Sequence, residues 1–285
     1  MTRPSAKRIR NILISILAGV SLAYGVTLLV LWTQLEKRFV FFPEPEVLYT
    51  PGDVGLEYED VRFPASDGLT LNGWFIPGNS GTPAGVTWLW FHGNGGNIGH
   101  RVGEILLAHH RTGANIFIFD YRGYGNSEGR PSEKGTYLDS RAAVAYLKSR
   151  PDVDPERVVY SGHSLGAAVA IELALDEPPL GMVLVSPFSS VRDMAKLALP
   201  FPPAGWLVRN HYDNLSRIQQ LQMPLLLLHG DQDDTVPIAQ GQKLFDAANQ
   251  PKQFEVLAGA GHNDTYEAAG EEYWGAIEGF IAGLE

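Results

Sequence analysis

The first strong pattern along the chain is a run without charge, from Ile12 to Trp32. At about 1.5 Å per residue, a helix over this run would span roughly 32 Å, the thickness of bilayer hydrocarbon. A proline-rich stretch with Pro43, Pro45 and Pro51 follows. It reads as a stiff connector between residues 1–35 and the rest. Leu56–Phe63 and Leu69–Ile76 then read as two strands joined around Asp67-Gly68, a hairpin signal. Beyond them the period changes. Ahead of a last strand-like run, Phe254–Leu257, the segments Val86–Phe91, Ile116–Phe119, Val158–Tyr160, Met182–Val185 and Leu225–Leu228 are short apolar runs nearly free of charge. Such runs fit strands buried on both faces, as in a parallel sheet. Helical patterns over 98–111, 136–149, 166–175, 239–248 and 265–283 alternate with them. The expected fold is therefore α/β, with a mostly parallel sheet flanked by helices over residues 36–285. The stretch 187–222 breaks the rhythm with Pro187, Pro200, Pro202 and Pro203. It reads as a short cap inserted between two strands.

Charge sharpens the division. The chain carries a net −10. Residues 1–38 hold Arg3, Lys7, Arg8, Arg10, Lys37 and Arg38 against Glu36 alone, a net of +5. The remainder is left with −15, which argues against a nucleic-acid partner, because phosphate contact needs clustered Lys and Arg. Residues 12–32, with Trp32 at one end, are expected to be an uncleaved single-pass membrane anchor. The alternative is a cleaved signal peptide with Ser21 and Ala23 as its small residues, but the apolar run continues past Tyr24. More positive charge before the span than after it predicts a cytoplasmic N-terminus and a body on the other side. There are no cysteines, so a thiol nucleophile, disulfides and thiolate metal sites are excluded.

The chemistry concentrates in four loops that each follow a strand. Gly162-His163-Ser164-Leu165-Gly166 lies between a strand and a helix, where a sharp turn would project the Ser164 hydroxyl above the sheet edge. A serine needs a base held by an acid before it can attack a carbonyl. His262, in Gly259-Ala260-Gly261-His262-Asn263-Asp264, follows the last strand and supplies the base. The acid should fall between the two in the chain. Gly230-Asp231-Gln232-Asp233-Asp234 offers three carboxylates there, among which spacing does not choose. An oxyanion hole needs two backbone N–H groups. Leu165, next to the nucleophile, would give one. Asn94, in the glycine-rich loop His92-Gly93-Asn94-Gly95-Gly96-Asn97, would give the other. The same loop fails as a dinucleotide fingerprint because its third glycine is Gly99 instead of residue 98. No pair of histidines has metal-binding spacing, and the chemistry requires no cofactor.

The blocks "FHGNGGNIGHR", "DYRGYGNSEG", "SGHSLGAAVA", "HGDQDDTVP" and "GAGHNDTY" resemble the BEM46-like branch of the α/β-hydrolase superfamily, as do "QLEKRFVFFPEPE" and "DGLTLNGWF". The resemblance covers residues 34–285. It implies an α/β-hydrolase fold with a short cap, a membrane anchor and a Ser–Asp–His triad. The superfamily pattern G-x-x-D-x-x-V-P matches Gly230, Asp233, Val236 and Pro237, which selects Asp233 as the acid. Asn94 falls where the superfamily places its second oxyanion donor. The activity expected is hydrolysis of a carboxylic ester on a small-molecule or lipid acyl substrate, with acyl-protein thioesterase or peptidase activity on the same triad as alternatives. A catalytically silent, membrane-anchored interaction protein is the rival from another class.

Overall fold

Residues 7, 11, 14–27, 40–79, 85–198, 208 and 210–284 are described in a computed structural model of the chain. The chain divides into two units, Met1–Val40 and Phe41–Glu285. In the first, residues 14–27 are helical and exposed. Residues 12, 13 and 28–32 of the expected anchor lie outside the described residues. Among the described residues no helix is long and apolar enough to cross a membrane, so the expected span is not borne out.

The apolar runs of the second unit fold as strands: β1 (Phe42–Pro43), β2 (Glu59–Pro64), β3 (Thr70–Ile76), β4 (Thr87–Phe91), β5 (Gly95–Gly96), β6 (Asn115–Phe119), β7 (Val158–His163), β8 (Gly181–Val185), β9 (Leu225–Gly230) and β10 (Lys252–Leu257). Eight of them form one sheet in the order β10-β9-β8-β7-β4-β6-β3-β2. Its neighbours pair in parallel from β10 to β6, and β3 pairs antiparallel with both β6 and β2. The hairpin falls where Asp67-Gly68 signalled it, with Glu59 opposite Phe75 and Pro64 opposite Thr70.

The helices are α1 (Val102–Thr112), α2 (Glu133–Ser149), α3 (Leu165–Leu173), α4 (Val191–Ala198), α5 (Asn214–Ile218), α6 (Ile238–Ala247), α7 (Thr265–Ala268) and α8 (Glu271–Ala282). Helix α2 starts three residues before the periodicity does. Ser132 caps it, its side chain accepting the Gly135 N–H at 3.1 Å. The single helix expected over 265–283 is two, because Gly270 takes a φ of 46° between them. Trp88, Phe91, Phe117, Phe119 and Tyr160 are buried beneath these helices. Each contributes on the order of 2–3 kcal/mol by leaving water. Such burial on both faces explains why the strands read as continuous apolar runs rather than alternating ones.

Two expectations for the loops change. The proline-rich stretch is not merely a connector. Phe42–Pro43 pairs in parallel with Gly95–Gly96, and the Asn97 amide donates to the Glu44 and Glu46 carbonyls at 3.0 and 2.7 Å. The stretch is thereby strapped across the glycine-rich loop. The segment expected to be a cap, 187–222, contributes α4 and α5 between β8 and β9, while Leu199, Phe201, Trp206 and Leu207 lie outside the described residues.

Candidate active site

Parallel strands bring the loops at their C-terminal ends to one edge of the sheet, and β7 stands in its interior. The turn from β7 into α3 leaves Ser164 at φ 54° and ψ −112°. A non-glycine residue there costs on the order of 1–3 kcal/mol and persists only where its surroundings enforce it. They do. The Ser164 N–H donates to the Val185 carbonyl at 2.9 Å. Gly166 lies so close to β4 that a Cβ on it would meet the Phe91 carbonyl oxygen at 1.9 Å. A Cβ on Gly162 would meet the Ala167 backbone at 2.7 Å. The spacing of glycines around the serine is thus a packing requirement of the turn.

The Ser164 Oγ lies 3.0 Å from His262 Nε2, and His262 Nδ1 lies 2.7 Å from Asp233 Oδ2. All three residues are buried. An ionised carboxylate only accepts, so Nδ1 carries the ring hydrogen and Nε2 accepts from the hydroxyl. The other oxygen of Asp233 accepts the N–H groups of Thr235 at 3.0 Å and Val236 at 2.7 Å. His229 Nε2 donates to the Val236 carbonyl at 2.8 Å and stands 3.4 Å from Asp233 Oδ2. Burial alone would raise the Asp233 carboxyl. The His229 ring close by and hydrogen bonds from His262 and Val236 outweigh it and hold the group well below the usual carboxylate range. The two neighbouring carboxylates are exposed, and Asp231 is occupied with the Gly259 N–H at 2.8 Å.

Leu165 is the first residue of α3, where an N–H has no acceptor within the helix. Asn94 sits on the loop after β4. Its carbonyl accepts from the Phe42 N–H at 2.9 Å and the Tyr124 hydroxyl at 2.8 Å. One peptide earlier, His92 Nδ1 donates to the Gly93 carbonyl at 2.7 Å. In a trans peptide the N–H points away from the carbonyl, so this bond also fixes the direction of the Asn94 N–H. A cavity of about 440 Å³ opens over the loop, with Gly93, Asn94, Arg101, His163 and His262 among its walls.

Several histidines that touch this site carry no distinct signal in the sequence. His163, placed inside the turn, donates from Nε2 to the His262 carbonyl at 2.9 Å, and burial pushes its imidazole down to about 3. His92 and His229, which end β4 and β9, serve the loops that follow them. His100, without a partner signal, lies 3.4 Å from the Glu44 carboxylate. For His92, His163 and His229, position at the C-terminal ends of the strands was the signal that could have found them. Among the described residues, no group of three or more His, Asp or Glu is arranged to hold a metal ion.

A mostly parallel sheet with helices on its faces, and a strained serine turn beside its central strand, is the architecture of an α/β hydrolase. The family of the alpha/beta hydrolase fold is matched over residues 89–208. The uncharacterized protein Rv2307c of Mycobacterium tuberculosis is 38% identical over 97% of each chain. The bem46 protein of Schizosaccharomyces pombe is 32% identical over 92% of this chain and 91% of its own. An esterase of Pyrococcus furiosus superposes with a TM-score of 0.69 at 26% identity, covering 85% of this chain and 98% of that one. The chain belongs to the BEM46-like branch of the α/β hydrolases.

Proposed function

We propose that this chain is a serine hydrolase that cleaves a carboxylic ester or a related acyl bond. Ser164 attacks the acyl carbon while its proton passes to His262 Nε2. Asp233 holds the imidazole in the tautomer that can accept that proton and steadies the cation that forms. The N–H groups of Asn94 and Leu165 receive the carbonyl oxygen as it becomes an oxyanion. His262 then returns the proton to the leaving group, and water releases the acyl chain by the same steps in reverse. The observation that carries this reading is the unbroken line of contacts from Ser164 through His262 to Asp233, at 3.0 and 2.7 Å. The likeness to an esterase supports it.

A fluorophosphonate tests it directly, since only an activated serine is phosphonylated. The full chain should label and should hydrolyse short esters, and Ser164→Ala should lose both together. Losing a triad nucleophile costs about six decades in kcat. Ester hydrolysis by Ser164→Ala at the unaltered rate would end the assignment.

Residues 12–32 belong to the same proposal as a membrane anchor, with the catalytic body on the non-cytoplasmic side. Their uncharged sequence supports it, as do Ile14, Leu17 and Leu22, which are exposed apolar side chains on the helical part. The chain should stay with membranes through an alkaline wash and be released when residues 1–35 are removed. Release of the full chain by the wash would refute the anchor.

A further inference from the structure

The cavity wall contains a cation that the triad does not use. Arg101 follows the glycine-rich loop and reaches back over it, its Nη2 donating to the Gly95 carbonyl at 2.9 Å. Its Nε is buried with no hydrogen-bond partner, and Nη1 makes no hydrogen bond among the described residues. Five other arginines of the body that are not exposed behave differently, while Arg62, Arg130 and Arg192, also in no ion pair among the described residues, are exposed to solvent. Arg111, Arg122, Arg141, Arg150 and Arg217 each face a carboxylate, whereas Arg101 is in no ion pair among the described residues. A guanidinium with an unsatisfied buried N–H is costly unless something arrives to satisfy it. In a body this acidic, a cation left without an acid beside the reactive loop is the opposite of what solubility or stability alone would select.

We propose that Arg101 forms a subsite for an anionic, oxygen-bearing group of the substrate, a carboxylate or a phosphate, so that the hydrolase acts on acyl esters that carry such a charge. The inference rests on the hydrolase reading of the cavity and deepens it. Arg101 lines the same cavity as Asn94, His163 and His262, which puts its charge in the space onto which the candidate base opens. That charge is felt through the site, where it helps to lower His163 and His92. The two carboxyls that also feel it, Asp120 and Glu104, are raised by burial to about 7, so neither is a full counterion near neutrality. Glu44 on the same wall is engaged by His100 at 3.4 Å. A substrate carboxylate or phosphate would supply the acceptors that Nε and Nη1 lack, and planar guanidinium donors match such groups in pairs.

The test compares esters that differ only in charge. On the acyl side it pairs para-nitrophenyl hydrogen succinate with its methyl ester, and a phosphonopropionyl ester with its dimethyl form. On the leaving-group side it pairs para-acetoxybenzoate with its methyl ester. The full chain should prefer one charged member at least about tenfold in kcat/KM, the preference fading as salt rises. Arg101→Gln should bring that ratio close to one, and Arg101→Lys should keep part of it. No preference in any pair, or a preference untouched by Arg101→Gln, would overturn the subsite. So would an equal loss on charged and neutral esters, which would make Arg101 only a tie on the Gly95 carbonyl. Binding of inorganic phosphate to the full chain carrying Ser164→Ala, followed by titration calorimetry, separates this inference from the hydrolase reading. Phosphate bound there and weakened tenfold by adding Arg101→Gln supports the subsite whether or not any ester turns over. Hydrolysis of neutral esters without phosphate binding or charge preference leaves the hydrolase and removes the subsite.

Discussion

His163 donates its Nε2–H to the backbone carbonyl of His262 at 2.9 Å, so the residue before the candidate nucleophile holds the loop that carries the candidate base. A carbonyl only accepts, which fixes the hydrogen on Nε2. Burial keeps the ring neutral down to about pH 3. The imidazole therefore acts as a steady tether throughout the working range. It is a positioning residue, acting on the acyl group through His262.

His163→Phe keeps the ring but leaves the His262 carbonyl without its donor. The expected result is a fall of about tenfold or more in kcat with KM little changed, because a buried group left unpaired costs about 1–3 kcal/mol and an ångström of misplacement is felt in the rate. His163→Gln, which can present an N–H at similar reach, should recover most of the loss. Steady-state kinetics on a short neutral ester decides it. Equal turnover by the Phe variant and the native chain would leave His163 with packing alone.

His92 offers a parallel case at the Asn94 N–H, the candidate oxyanion donor. Its Nδ1–H fixes the Gly93–Asn94 peptide at 2.7 Å, and the Tyr121 hydroxyl holds the His92 carbonyl at 3.1 Å. Removing an oxyanion donor outright costs about two to three decades in kcat, so letting one swing should cost less. His92→Phe is expected to lower kcat by about tenfold and to slow fluorophosphonate labelling in proportion. His92→Asn, whose amide can reach the same carbonyl, should lie between. Native labelling by the Phe variant, measured as a second-order rate, would show that the Asn94 N–H does not depend on this bond.

How much of this was legible in the sequence depended on whether a feature is local. The β7–α3 turn was legible because its strain needs glycine at two fixed offsets, and those requirements are written within five residues. The hairpin at Asp67-Gly68 and the buried runs of β4, β6, β8 and β9 were legible because apolar periodicity reports burial directly. The strap from Phe42–Pro43 to Gly95–Gly96 was not. It consists of backbone pairing between segments about fifty residues apart, one of which has a proline composition that normally means a linker. Asp233 could not be separated from Asp231 and Asp234 by spacing. What distinguishes it is that its carboxylate turns inward onto Thr235, Val236 and His262, a matter of side-chain direction. The helix break at Gly270 was hidden because the apolar period continues through it.

That inward turn has a direct kinetic consequence. Asp233→Asn should lower kcat by about four decades, since an amide can present its N–H to the ring and favour the wrong tautomer. Asp231→Asn keeps an acceptor for the Gly259 N–H, and Asp234→Asn alters an exposed side chain. Both should stay within a few-fold of the native rate. A severe effect at either neighbour, with a mild one at Asp233, would move the acid to that neighbour.

The last prediction concerns stability, and it follows from four groups whose effects oppose, His92 and Asp120 being buried and His163 and Glu104 partly so. Burial lowers His92 and His163 from 6.5 to about 3, so between those values the unfolded chain holds up to two more protons than the folded one. Their contribution to stability is lost as pH falls through that window. Burial raises Asp120 from 3.8, and Glu104 from 4.5, to about 7, so there the folded chain holds the extra protons. Their contribution is present at low pH and is lost as pH rises through about 7. From about pH 6.5 down to 4.5 the two pairs cancel, and stability in that range should be nearly flat. Below about pH 4 the carboxyls protonate in the unfolded chain as well, and the histidines together with the lowered Asp233 pull stability down. Asp120→Asn removes one of the opposing groups while leaving an oxygen for the Ile98 N–H, which Asp120 accepts at 2.9 Å. The variant should then lose stability as pH drops from 6.5 to 4.5, with a slope approaching 1.4 kcal/mol per pH unit for one uncompensated proton. Urea unfolding across that range measures it in both proteins. Parallel profiles for the native chain and Asp120→Asn would mean that Asp120 is ionised throughout and does not offset the histidines.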